Sequence, residues 1–156
     1  IVIRGHNVFD GYLNKPEATE AVMVDGWFRT GDIGYVDDDG FLYLTDRATF
    51  MIISGGVNIY PQETENLLIT HPLVADAAVF GVPNVDLGEE VKAVIRPHEG
   101  ESVDEPALRE WLAPRIAPFK IPAIFAFTRE PLPRNVTGKI LKHVLRDGSQ
   151  NIFQDE

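Results

Sequence analysis

Four short stretches of this 156-residue chain carry side chains able to do chemistry. Pro133-Arg134-Asn135-Val136-Thr137-Gly138-Lys139 reads as a glycine-loosened loop that delivers one lysine to the start of an apolar-striped helix. A lysine ammonium is a compact cation with three rotatable donors, suited to crowded anionic oxygens. Trp27-Phe28-Arg29-Thr30-Gly31-Asp32 and then Asp46-Arg47 place polar groups in short loops between hydrophobic strands. A carboxylate such as Asp32 in a tight Thr-Gly-Asp loop can accept two hydrogen bonds from the adjacent hydroxyls of a cis-diol. Between them lies Ile52-Ile53-Ser54-Gly55-Gly56, followed by Asn58-Ile59-Tyr60-Pro61. Each stretch also has a plainer reading. Lys139 fits a surface lysine near a helix N-terminus, where the dipole slightly disfavours it. Asp32 fits a turn cap before a strand, Asp46-Arg47 an exposed ion pair worth little, and Gly55-Gly56 a hairpin turn. Taken singly, each is a weak signal.

The elements that must position these residues can be read from hydrophobic period and breakers. Residues 1–48 read as β structure: a strand over 1–3, a loop over 5–11, a short helix over 16–24, and strands over 33–36 and 41–44. The last two pair across Asp39-Gly40. This stretch has too few residues for a closed core and looks like the end of a larger domain. From residue 49 onward, strands over 50–54 and 57–60 turn at Gly55-Gly56, and a helix starts at Pro61 and stops at His71-Pro72. Strands follow over 74–82 and 90–96, the second alternating Val91, Ala93 and Ile95 against Lys92, Val94 and Arg96. A helix lies within 102–116, with Leu108, Trp111 and Leu112 on its apolar face. Its start is open between a Ser102–Glu105 capping box and Pro106 at the first helical position. A strand over 124–127 and a helix over 139–146 complete the order, the helix turning Ile140, Leu141, Val144 and Leu145 inward. The fold class is α+β. Trp27, Phe28 and Trp111 are expected in the core.

Composition removes several function classes. Hydrophobic content of 44% and charged content of 24% are ordinary for a globular protein. A net charge of −10 without a basic cluster argues against nucleic acid and against an anionic membrane surface. The chain has no cysteine, so disulfides, thiolate catalysis and cysteine-ligated zinc are excluded. Its four histidines lack metal-ligand spacing, so no metal site is expected. Asp37-Asp38-Asp39-Gly40 reads as a turn. His71 and His143 have no triad partner. Lys120 and Arg134 read as solvated surface charges, with a phosphate contact as the other option. No apolar run approaches the roughly 18 residues of a membrane span. No signal peptide is visible, which makes the cytoplasm the expectation. A chain opening on Ile1 rather than Met is expected to be a fragment.

Together, in this order and spacing, the four stretches make a strong signal. The chain resembles the C-terminal part of the AMP-forming adenylating enzymes, and most of all that of a fatty-acyl-CoA synthetase. The resemblance covers almost all of residues 5–148 but only the C-terminal part of a whole enzyme. It implies two segments: 1–48 as the β-rich end of the large N-terminal adenylate-forming domain, and 49–156 as a mobile AMP-binding lid. It implies ATP with Mg2+, CoA and a fatty acid as substrates, and no tightly bound cofactor. Pro133, Gly138 and Lys139 match the family's P-x-x-x-x-G-K pattern, whose lysine bridges a carboxylate and a phosphate oxygen during adenylation. Asp32 matches the ribose-binding aspartate of R-T-G-D, and Arg47 the arginine that ends the large domain. Gly55 and Gly56 match the loop lining the passage for the CoA pantetheine arm. The hinge usually carries Asp or Lys two positions after that arginine; here it is Thr49. The phosphate loop and acyl pocket of the family are absent from these residues, so the chain alone is expected to be inactive. Two other readings stand beside this one: an adenylation domain that loads a carrier protein, or a non-catalytic interaction module whose exposed edges pair between copies.

Overall fold

Asp-Gly turns break the start of the chain into short strands, and a computed structural model describes residues 1–150. The last six residues of the expected lid, 151–156, lie outside the described residues. The chain divides into two compact units, Ile1–Thr49 and a second from Phe50 onward. The first holds β1 (Val2–Ile3), α1 (Pro16–Val22), β2 (Met23–Val24), β3 (Trp27–Arg29), β4 (Asp32–Val36) and β5 (Leu42–Arg47). Strand β3 pairs antiparallel with both β1 and β2. The helix expected to reach residue 24 ends at Val22. Met23 and Val24 fold back onto Phe28 and Trp27 across Asp25-Gly26, both at positive φ, the conformation a two-residue hairpin demands.

Strands β4 and β5 form a second hairpin across Asp39-Gly40. The Asp37 carboxylate accepts the amides of Phe41 at 2.8 Å and Asp39 at 3.1 Å. The bond from Phe41 is the main reason its pKa lies below the usual carboxylate value. No residue of this unit is buried. Tyr35, Val36, Phe41, Leu42, Tyr43 and Leu44 are exposed, and the Tyr35 and Tyr43 rings stack at 5.2 Å. Trp27 is exposed rather than in a core, with the Arg4 guanidinium 4.6 Å over its ring.

The second unit has a core of its own. A 3-10 turn over Ala48–Phe50 leads to β6 (Ile52–Ser54), β7 (Val57–Ile59), α2 (Pro61–Ile69), β8 (Val74–Asn84), β9 (Gly88–Pro97), α3 (Glu105–Leu112), β10 (Ile124–Phe127) and α4 (Lys142–Gln150). Strand β9 is the centre of the sheet: antiparallel to β8 along its length, parallel to β10, and touching β6 at Gly88. Helix α3 starts at neither expected position. Asp104 caps it, accepting the Ala107 amide at 3.0 Å, and Pro106 sits one residue inside the first turn.

Alternate residues of β8 and β9 point to opposite faces. Ala77, Val79, Val91, Ala93 and Ile95 pack with Leu68 of α2 and with Leu108 and Leu112 of α3. Burying each of these leucines contributes about 1.5–3 kcal/mol. Ala78, Phe80 and Val94 face the other way, under Leu132, Ile140 and Leu145. The sheet therefore lies between two helices on one side and the C-terminal segment on the other. Trp111 is partly buried, donating to the Leu67 carbonyl at 3.1 Å. Val144 is exposed, contrary to its expected inward direction.

Candidate functional site

Asp32 and Arg47 stand in strands rather than in loops. Asp32 opens β4, Arg47 closes β5, and the two are direct cross-strand partners. Gly31, at φ +77°, turns the chain from β3 into β4, a conformation that suits glycine. The Thr30 hydroxyl accepts the Asp32 amide at 3.1 Å, and the Gly31 carbonyl accepts the Ala48 amide at 2.8 Å. Arg47 Nε donates to Asp32 Oδ1 at 3.1 Å, with the two side chains 55% and 28% exposed. The pair is thus preformed, and both side chains keep part of their surface open to solvent. A carboxylate has about four lone-pair sites, so the single bond from Arg47 leaves capacity for two hydroxyl donors.

Gly55 and Gly56 form the tip of the β6–β7 hairpin, at φ +55° and +79°. Two consecutive positive values mark the turn that matches strand twist. The Gly55 amide donates to the Leu87 carbonyl at 2.9 Å, tying the tip to the β8–β9 turn. Beside Gly56 there is open space. Thr49 is exposed within the 3-10 turn that follows β5, where the two units divide.

Lys139 does not begin a helix, as the apolar stripe suggested; α4 starts three residues later, at Lys142. The intervening residues fold back on the start of the loop. The Asn135 amide donates to the Lys139 carbonyl at 2.9 Å, Leu141 donates to Pro133 at 2.8 Å, and Arg134 bridges Ile140. Asn135 organises the interior: its Oδ1 accepts from the amides of Thr137 and Lys139 and from the Thr137 hydroxyl, at 2.7–3.0 Å. Gly138 is at φ +83° with no atom crowding it. The result is a braced loop whose last residue, Lys139, is exposed and, among the described residues, in no ion pair.

The two loop cations that could have met a phosphate, Lys120 and Arg134, are engaged. Lys120 pairs with Glu63 at 2.6 Å, and Arg134 with Asp76 at 2.5 Å. Lys142, which the sequence did not single out, meets Glu65 at 2.8 Å with side chains only 11% and 7% exposed. Glu65 also accepts the Val79 amide at 2.6 Å, and the Lys142 ammonium lies 5.0 Å over the Phe50 ring. Among the described residues no three carboxylate or imidazole side chains converge to hold a metal ion.

Residues 63–139 match the model of the AMP-binding enzyme C-terminal domain. The chain is 49% identical over 146 residues to a 2-succinylbenzoate–CoA ligase of Geobacillus kaustophilus, covering 94% of this chain and 30% of that one. It is 43% identical over 152 residues to a long-chain-fatty-acid–CoA ligase of Bacillus subtilis, covering 97% and 27%. Among solved structures, an o-succinylbenzoate CoA synthetase from Bacillus subtilis in complex with the acyl-adenylate intermediate OSB-AMP superposes with a TM-score of 0.86. There the identity is 42%, over 94% of this chain and 30% of that one. The chain belongs to the AMP-forming adenylating enzymes.

It spans about 30% of the length of the relatives it matches. The matched C-terminal domain begins in α2 and ends on Lys139, the exposed end of the braced loop. Within this adenylating-enzyme segment, sequence reasoning found the residues that face outward and missed those that hold them. Glu65 and Lys142 looked like ordinary polar positions of helices. A signal for them existed, since each sits on the apolar side of its helix: Glu65 beside Leu68, Lys142 beside Leu145. A charge on that side has to find a partner. No helix among the described residues is long and apolar enough to cross a membrane.

Proposed function

We propose that this chain is the C-terminal part of an ATP-dependent ligase that activates a carboxylic acid as acyl-AMP and passes it to CoA. In the first step the carboxylate attacks the α-phosphorus of ATP and pyrophosphate leaves. In the second, the CoA thiol attacks the acyl carbon and AMP leaves. Joining two anions crowds negative charge, and a mobile cation that reaches both oxygens lowers that barrier. Lys139 is that cation. The observation that carries this is its contrast with its neighbours: Lys120, Arg134 and Lys142 are all paired, while Lys139 is held out on a braced loop.

Asp32 takes the ribose hydroxyls, and Arg47, fixed by Asp32, takes phosphate oxygens. Gly55 and Gly56 offer a tip without side chains beside the pantetheine arm, and Thr49 is the hinge. Residues 1–48 then belong to the large domain and 49–156 to a lid that rotates between steps. The relatives named above act on a succinylbenzoate and on long-chain fatty acids. The stretch from Asp46 to Pro61 looks more like the fatty-acyl-CoA branch than a domain that loads a carrier protein, and the acid-binding pocket lies in none of these residues. The setting taken for this reaction is the cytoplasm, one of the compartments that hold both ATP and CoA.

The test is Lys139→Ala in the full-length ligase, with the half-reactions measured apart. ATP–pyrophosphate exchange should fall about 10²–10³-fold, the loss typical of one missing transition-state donor. Thioester formation from supplied acyl-AMP should stay near its starting rate. Equal loss in both steps would overturn the assignment.

A further inference from the structure

Arg134 was expected to be a solvated charge or a phosphate contact. Its guanidinium does something else. One terminal nitrogen donates to Asp76 Oδ2 at 2.5 Å, the other to the Gly138 carbonyl at 2.6 Å. That carbonyl belongs to the peptide unit leading into Lys139. The nitrogen of the same unit, the Lys139 amide, donates to Asn135 Oδ1 at 2.9 Å. Both polar ends of one peptide plane are therefore held, the oxygen by Arg134 and the N–H by Asn135. The Lys139 carbonyl, on the far side of its Cα, accepts the Asn135 amide at 2.9 Å, so the peptide planes on both sides are held and the direction in which the Lys139 side chain leaves the backbone is set.

The anchor is firm on its other side. Asp76 lies in β8 with its side chain 12% exposed, and its second oxygen accepts the Ala77 amide at 3.1 Å. Three residues past Lys139, the buried Lys142–Glu65 pair ties the start of α4 to α2 and, through the Val79 amide, to β8 again. The loop is thus pinned to the same strand before and after the lysine. An arginine suits the first pin because its planar fork reaches two acceptors at once, whereas a lysine ammonium is a single point of charge.

We propose that Asp76 and Arg134 are positioning residues for Lys139: they set the peptide that aims its ammonium and bind no substrate themselves. This rests on the role of Lys139 proposed above. A displacement of about 1 Å at such a group can cost roughly 10²-fold in rate.

The experiment uses the full-length ligase carrying Arg134→Ala, Arg134→Lys and Asp76→Asn, each also combined with Lys139→Ala. Arg134→Ala should lower kcat for ATP–pyrophosphate exchange by about 10–100-fold, with KM for ATP and for CoA unchanged. Thioester formation from supplied acyl-AMP should be unaffected. Arg134→Lys should lose nearly as much, because charge without the fork does not hold the carbonyl. Asp76→Asn should lose less. In the Lys139→Ala background none of the three should lower exchange further. A raised KM for CoA or ATP would make Arg134 a ligand and overturn the inference. So would unchanged exchange, equal loss in both half-reactions, or additive loss on top of Lys139→Ala. Should Lys139→Ala itself leave exchange intact, the role of the lysine fails first, and that result is visible without any Arg134 variant.

Discussion

His71 shows how one partly buried side chain ties stability to pH. Its ring meets Trp111 edge-on at 5.0 Å, and its Nδ1 accepts the Leu73 amide at 3.2 Å. Burial disfavours the imidazolium, so its pKa lies below the ordinary 6.5. The unfolded chain therefore takes up this proton at a higher pH than the folded chain does. Stability from His71 is fully present above pH 6.5 and declines as pH falls through the folded value. His71→Asn keeps a nearby acceptor and removes the titration. Thermal unfolding of this chain between pH 7.5 and 5 should give a flatter dependence for the variant than for the parent, whatever its absolute midpoint. Parallel curves would show that His71 does not contribute. Lys92 teaches a related lesson about legibility. The alternation of its strand placed it opposite Val91, Ala93 and Ile95, which is correct, and implied solvent on that side. It is instead 7% exposed, across from Phe80, and burial lowers its pKa from 10.5. Period two tells which face a residue occupies. It does not tell that the loop before α4 will cover that face.

At the scale of elements, the reading succeeded where a breaker has one steric meaning. Pro61 begins α2, Gly55-Gly56 turns β6 into β7, and Asp39-Gly40 turns β4 into β5. It failed where a side chain competes with a propensity. The capping oxygen of Asp104 displaced both expected starts of α3, and Asn135 drew the Lys139 amide into a loop that the apolar stripe had assigned to a helix. The Gly55-Gly56 tip can be tested as an element. An alanine at either position would hold an L-residue at positive φ, at a cost of about 1 kcal/mol. Only at Gly55 would the new carbon also press on a neighbour, Leu87 Cδ2 at 3.3 Å. Gly55→Ala should therefore lower the unfolding midpoint more than Gly56→Ala. In the full-length ligase, Gly56→Ala should slow thioester formation while leaving ATP–pyrophosphate exchange intact. The reverse pattern would remove the tip from the CoA passage.

The two units of the whole molecule differ in self-sufficiency, and that difference bears on what this chain can do alone. The second has a core on both faces of its sheet, with Leu68, Leu108 and Leu112 fully inaccessible. The first buries no residue and shows water a row of aromatic and aliphatic side chains along β4 and β5. An apolar row of this kind on a hairpin calls for covering surface. Asp32 and Arg47 sit on that hairpin, so their presentation depends on what covers it. Lys139, by contrast, is held by Asp76, Asn135, Arg134, the Lys142–Glu65 pair and the sheet beneath, all within the second unit. The purified 156-residue chain should therefore unfold in a cooperative transition carried by the second unit, yet give ATP–pyrophosphate exchange no higher than a protein-free control. A lysine that neutralises a transition state accelerates nothing unless other groups hold the acid against the α-phosphate, and these residues contain no phosphate loop. Exchange well above that control, lost on Lys139→Ala, would mean that the two short units assemble a nucleotide site unaided, and the division of labour proposed between large domain and lid would have to be abandoned.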